Sequence, residues 1–138
     1  MGNMLSWNSQ YSIGVEKIDS QHKELFDRIN ILLNAMKLGN GKEEVINTLD
    51  FLEQYVNKHF MDEEQIQRDT KYSGYDIQHK QHDEFRYKLK ELRIKFENDG
   101  INTSLVISTQ KEMTDWWRNH ITKLDSELGK HIINVNNR

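Results

Sequence analysis

The sequence contains no cysteine and no proline. Without cysteine there are no disulfides and no metal site built on thiolate, an absence that suits a reducing cytosol. Without proline, long helices escape the residue that most often kinks or breaks them. Apolar residues nowhere run together for the ~18 positions that a membrane-spanning helix needs. The opening stretch MGNMLSWNSQYSIGV has neither the basic start nor the continuous apolar segment of a secretory leader. The net charge is only −3, which excludes the basic footprint of an electrostatic nucleic-acid binder. With 138 residues the chain can build one sizeable core but not two. The expectation is a single cytoplasmic domain, a monomer, with neither a membrane nor a nucleic acid as partner.

What is present is helical periodicity, punctuated by sparse glycines at 39, 41, 74, 100 and 129. Asp19–Met36 carries His22, Leu25, Phe26, Ile29, Leu32, Leu33 and Met36 on one stripe, with Asp19 as a plausible N-cap. Lys42–Arg68 carries Val45, Leu49, Leu52, Val56, His59, Glu63 and Ile66. Asp76–Glu97 carries His82, Phe85, Leu89, Leu92 and Phe96, and Thr103–Leu124 carries Val106, Met113, Trp116, Trp117, His120 and Leu124. Four amphipathic segments joined by short loops predict an all-α fold, an antiparallel up-down-up-down four-helix bundle. Residues 1–18, with Trp7, Tyr11, Ile13 and Val15 but no helical period, read as an irregular arm packed on the bundle of residues 19–128. Residues 129–138 read as a frayed polar tail, in which His131 has no assigned role.

A stripe that faces a bundle core should be apolar, yet all four contain a histidine. One buried imidazole is ordinarily satisfied packing, but four in parallel each need a partner, and a buried Glu63 needs positive charge. In an antiparallel bundle His22 lies near the start of the first helix, His59 and Glu63 near the end of the second. His79 and His82 lie near the start of the third, and His120 near the end of the fourth, so all fall at the same end. One metal site there would satisfy them together. His59 and Glu63, i and i+4, share a helix face. His120 and Asp125, i and i+5, lie about 140° apart on a regular helix, so Asp125 joins the site only if that helix ends or widens between them. Imidazole with carboxylate and no sulfur suits iron, zinc, copper or manganese. Five histidines and two carboxylates exceed one tetrahedral zinc and suit two six-coordinate metals sharing bridging carboxylates.

The motifs W7…Y11-S-I-G-V15, I18-D-S-Q-H22-K-E-L-F26, H59-F-M-D-E63-E64, H82-D-E-F85 and W116-W-R-N-H120-I…D125 resemble those of the hemerythrins, in particular the single-domain bacterial ones, over about residues 7 to 128. The resemblance implies two non-haem iron ions bridged by an oxo or hydroxo group and by the carboxylates of Glu63 and Asp125. His22 and His59 would ligate one iron and leave it an open position. His82, His120 and a third histidine would fill the other. It further implies that the reduced centre binds O2 reversibly at the open iron as a hydroperoxide, with no net charge imported into the buried site.

Two departures from the family pattern bear on this expectation. The third histidine is expected at residue 78, which is Gln78, and His79 stands one place later. Both can reach the core side of a helix. His79 is the expected ligand, because imidazole binds iron far better than a neutral amide, and a 3₁₀ turn could supply the reach. Gln78 is the alternative, as a weak ligand or a hydrogen-bond donor beside the site. The second departure is Trp117, where the family commonly has a smaller aliphatic residue. Trp116 and Trp117 are the expected O2-pocket residues, although packing alone is the ordinary role of a core tryptophan. The functional expectation is an O2 carrier, store or supplier and not an enzyme, with O2 as ligand and an unidentified protein as recipient. The alternatives are an O2 or redox sensor signalling to a separate protein and a di-iron oxidase or peroxidase.

Overall fold

The computed structural model describes residues 5–39 and 41–137, so the first four positions of the expected arm lie outside it. Four long helical rods make up the bundle: α1 (Glu16–Lys37), α2 (Lys42–Asp69), α3 (Tyr75–Asp99) and a fourth rod. The last is composite. It runs as α4 (Thr103–Asn119), a π-helical segment (His120–Asp125) and α5 (Ser126–Asn136) without interruption. Consecutive rods joined by short turns run antiparallel, as their periodicity predicts.

Local chemistry sets the boundaries. Asn102 caps α4, its Oδ1 accepting from the Leu105 amide at 2.8 Å. Gly100 ends α3 with φ of +70°, a conformation that side-chain-bearing residues rarely adopt. Asp19 does not cap α1, which begins three residues earlier at Glu16. Its carboxylate instead clamps the arm, accepting from the Ile13 amide at 2.9 Å and from Ser12 Oγ at 2.8 Å. That negative charge in the first turn also suits the helix dipole.

Leu25, Ile29, Leu32 and Leu33 of α1, Leu49, Leu52 and Val56 of α2 and Phe85 of α3 are fully buried along the bundle axis. Each such side chain contributes about 1.5–3 kcal/mol relative to exposure. The arm closes one side of the bundle. Leu5, Tyr11 and Ile13 are buried, Tyr11 meets Phe26 edge-on at 5.2 Å, and Asn30 brackets the Leu5 backbone.

The C-terminal segment differs from the frayed tail expected. Helix α5 reaches Asn136 and buries Leu128, Gly129 and Ile132. His131 Nε2 donates to the Thr70 carbonyl at 2.9 Å and its ring lies 5.0 Å from Tyr72. The asparagines of IINVNNR conceal the buried Ile132 among them. Gly129 is required there, because a Cβ would stand 2.3 Å from the Ile13 carbonyl oxygen.

Candidate metal centre

At the end of the bundle nearest the α2–α3 turn, the apolar core gives way to charge. His22, His59, Glu63, His82 and Asp125 are wholly inaccessible to solvent, and His120 is 1% exposed. Each stands where its helix stripe continues inward. Asp125 reaches the cluster because the fourth rod widens into a π-helix from His120 to Asp125. The wider turn, closed by i to i+5 bonds, brings i and i+5 onto one face, which a regular α-helix would not.

The carboxylates lie between two histidine pairs. Asp125 turns Oδ2 to His22 Nε2 at 3.1 Å and Oδ1 to His120 Nε2 at 3.3 Å. Glu63 turns Oε2 to His59 Nε2 at 3.4 Å and to His22 Nε2 at 4.0 Å. Its Oε1 faces His82 Nε2 at 3.1 Å and His120 Nε2 at 3.8 Å. Two groups of donors able to hold a metal result, His22 with His59, Glu63 and Asp125, and Glu63 with His82 and His120. Within each group the donor atoms lie within 4.8 Å of one another. Glu63 belongs to both.

Several of these atoms have no hydrogen-bond partner despite complete burial: both His22 ring nitrogens, Nε2 of His59 and His120, Glu63 Oε2 and Asp125 Oδ2. Unmet buried polar groups cost about 1–3 kcal/mol each. They converge on common points between them, as metal ligands do. The donor set, all imidazole nitrogen and carboxylate oxygen, fits first-row metals such as iron.

A surrounding layer fixes which nitrogen faces inward. His59 Nδ1 donates to Gln21 Oε1 at 2.7 Å, His82 Nδ1 to Glu64 Oε2 at 2.6 Å, and His120 Nδ1 to Gln81 Oε1 at 3.0 Å. In all three rings Nε2 is thereby aimed at the cluster, the arrangement that orients metal-bound imidazoles. Gln21, Glu64 and Gln81 were not singled out in the sequence. Two of them directly precede a histidine, Gln21–His22 and Gln81–His82, which is too common a pairing to carry a signal alone.

Without a metal the cluster is held by its own charges. Burial strips His59 of its proton tendency and takes its pKa down to about 3. Burial works the same way on His120, but Asp125 and Glu63 beside it prevail and raise it to about 10. Burial would raise Glu64, yet its bonds to His82 and His79 hold it at about 2. Asp125 lies well below the ordinary carboxylate range, as burial is outweighed by His120 and His22.

The geometry separates Gln78 from His79 and overturns the preference for His79. Gln78 is 1% exposed and donates from Nε2 to Asp125 Oδ1 at 2.9 Å. The His79 ring is 46% exposed and stacks on Tyr75, with Nδ1 3.0 Å from Glu64 and Nε2 3.4 Å from Asp83. Helix α3 is regular from Tyr75 onward, so no 3₁₀ turn rotates His79 inward. The two tryptophans also part. Trp117 is fully buried, its ring 6.1 Å from His22 and 6.0 Å from His59. Trp116 instead stacks on the outer face of His120 at 4.6 Å and reaches Glu84 with Nε1. It therefore backs a histidine and does not line the space between the pairs. Phe60 stacks on His82 at 3.9 Å.

Comparison with known proteins agrees with this arrangement. The profile of the hemerythrin HHE cation-binding domain matches residues 13–132. The chain is 29% identical over 127 residues to a bacteriohemerythrin of Methylococcus capsulatus, covering 91% of this chain and 95% of that protein. It is 28% identical over 119 residues to a myohemerythrin of Sipunculus nudus, covering 86% of each. The fold superposes on a crystal structure of wild-type hemerythrin with a TM-score of 0.82 at 29% identity, covering 93% of this chain and 97% of that one. With its four-helix bundle and its clustered histidines and carboxylates, the chain belongs to the hemerythrin HHE cation-binding domain family.

Proposed function

We propose that this protein binds O2 reversibly at a non-haem di-iron centre and serves as a carrier, store or supplier. The observation that carries the reading is the pair of carboxylates, each turning one oxygen to either histidine pair, with unpartnered donor atoms between them. In this reading His22 and His59 hold one iron, His82 and His120 the other, and Glu63 and Asp125 bridge them beside a solvent-derived oxo or hydroxo group. Bound irons would supply the electrons that let O2 bind. The chain supplies position, dryness and charge balance. Gln21, Glu64 and Gln81 hold three rings in register. Trp117 and Phe60, both fully buried, wall the site and keep bulk water from it. Two carboxylates in so dry a place are tolerable only beside compensating positive charge, and two irons provide it.

A carrier is favoured over a ferritin-like di-iron enzyme because the E-x-x-H pairs of that class occur nowhere in the sequence. The protein would act as a monomer in the cytoplasm and pass O2 to a separate protein. Among the described residues, no helix is long and apolar enough to cross a membrane.

The test is iron per chain together with the optical spectrum of reduced protein before and after exposure to air. Two irons and a visible band that disappears when O2 is withdrawn are expected. Sustained O2 consumption with a reductant, in place of saturation at one equivalent per site, would move the reading to an oxidase.

A further inference from the structure

Gln67 and Gln78 are both buried, and apart from the Gln78 bond to Asp125 neither has a role in the site as described. Gln67 is wholly inaccessible, and both its amide nitrogen and its amide oxygen lack partners. Gln78 spends one N–H on Asp125, while its Oε1, also buried, has no partner. Their places in the bundle are related. Glu63 of α2 and His82 of α3 face each other at 3.1 Å. One turn further along α2 is Gln67, and one turn back along the antiparallel α3 is Gln78, so these amides form the next facing level of the same two helices.

The donor count makes that level chemically significant. On the His82/His120 side the chain offers two imidazole nitrogens and at most one oxygen from each carboxylate. That equals the count on the His22/His59 side. A bridging solvent oxygen would bring each metal to five donors, one short of six. On the His82/His120 side the Gln78 amide commits one of its two N–H groups to Asp125.

We infer that the His82/His120 metal has its own open coordination position and takes a second small anionic ligand, held by the free N–H groups of Gln67 and Gln78. The ligand class is a compact anion of two or three heavy atoms that can bind metal at one end and accept hydrogen bonds from amide N–H groups at the other. The inference rests on the di-iron reading above. Gln78 and Gln67 act here as positioning residues, since the metal provides the primary bond.

Azide is the probe, titrated into the oxidised iron-loaded full chain after iron has been counted, with binding read calorimetrically and optically. Two azide ions per di-iron site are expected, reduced to one in Gln78→His, where a third imidazole occupies the position. Gln67→Leu should retain both and weaken one of them about ten-fold, through loss of hydrogen bonds to a charged ligand. A single azide in the wild type that becomes two in Gln78→Ala would show that the amide oxygen is itself the ligand and would overturn the inference. So would a single azide in every variant. Fewer than two irons per chain would overturn the di-iron reading itself, and the iron count reveals that outcome before any azide is added.

Discussion

His79 and His82 stand three residues apart on α3 and serve different surroundings. Only His82 is dry and within reach of Glu63. His79→Ala should therefore leave iron per chain unchanged, and His82→Ala should lower it, as metal analysis of the purified variants would show. Loss of iron in His79→Ala would place that ring in the site after all. A related expectation concerns Gln21, whose oxygen holds His59 Nδ1 at 2.7 Å. Gln21→Leu should weaken metal retention about 10–100-fold, the usual cost of losing an orienting partner, measured by competition with a chelator. Gln21 also accounts for part of the fixed geometry around Asp62, to which it donates at 2.8 Å.

At the level of the elements, the fourth rod depends on its π-helical turn. Regular α-helix from His120 onward would place Asp125 about 140° away from His120. The wide turn corrects this at the cost of less favourable backbone bonding, and such turns gather at functional sites. Deleting Thr122 should relieve the wide turn and leave the Asp125 carboxylate four residues after His120, on the same face of a regular α-helix, so that two irons per chain still load. Helical content by circular dichroism should change little. Loss of the second iron in that deletion would mean that the wide turn itself, and not only the shared face, sets the Asp125 carboxylate in place. The junction of α5 with the arm permits a separate stability test. A side chain at 129 would collide with the Ile13 backbone, so Gly129→Val should destabilise by about 1–3 kcal/mol, read from urea unfolding. Backbone atoms cannot rotate aside as a flexible side chain could.

For the molecule as a whole, metal binding, folding and protons are linked. Without metal, His120 keeps its proton up to a pKa of about 10, so at neutral pH a metal must expel that proton to use the nitrogen. His59, with its pKa near 3, is already neutral there and releases none. Loading should therefore weaken as pH falls. The protons released on loading should diminish as pH rises through about 10. Calorimetry in buffers of different ionisation heat measures that release near neutrality. A value of zero would contradict the charge arrangement described for His120.

The bundle was legible in the sequence because 3.6-residue periodicity is a local property that each segment carries by itself. The convergence of His22, His59, Glu63, His82 and His120 at one end followed from helix direction alone, and the need for the helix to end or widen before Asp125 followed from counting residues, the structure showing that it widens. What a one-dimensional reading left open was set by rotation of a helix about its own axis. Whether Gln78 or His79 faces inward depends on which face of α3 meets α2, and a difference of about 100° between neighbours is decided by packing along the whole helix. The same applies to Trp116 and Trp117, of which one stacks on His120 and the other meets it edge-on. The amides of Gln21 and Gln81 and the helical state of α5 acquire meaning only from partners distant in sequence. Composition and period determined that four helices would bring histidines together. Tertiary packing decided which nitrogen points inward, whether Gln78 or His79 faces the cluster, and where the tail is held, because orientation is a property of contacts between elements.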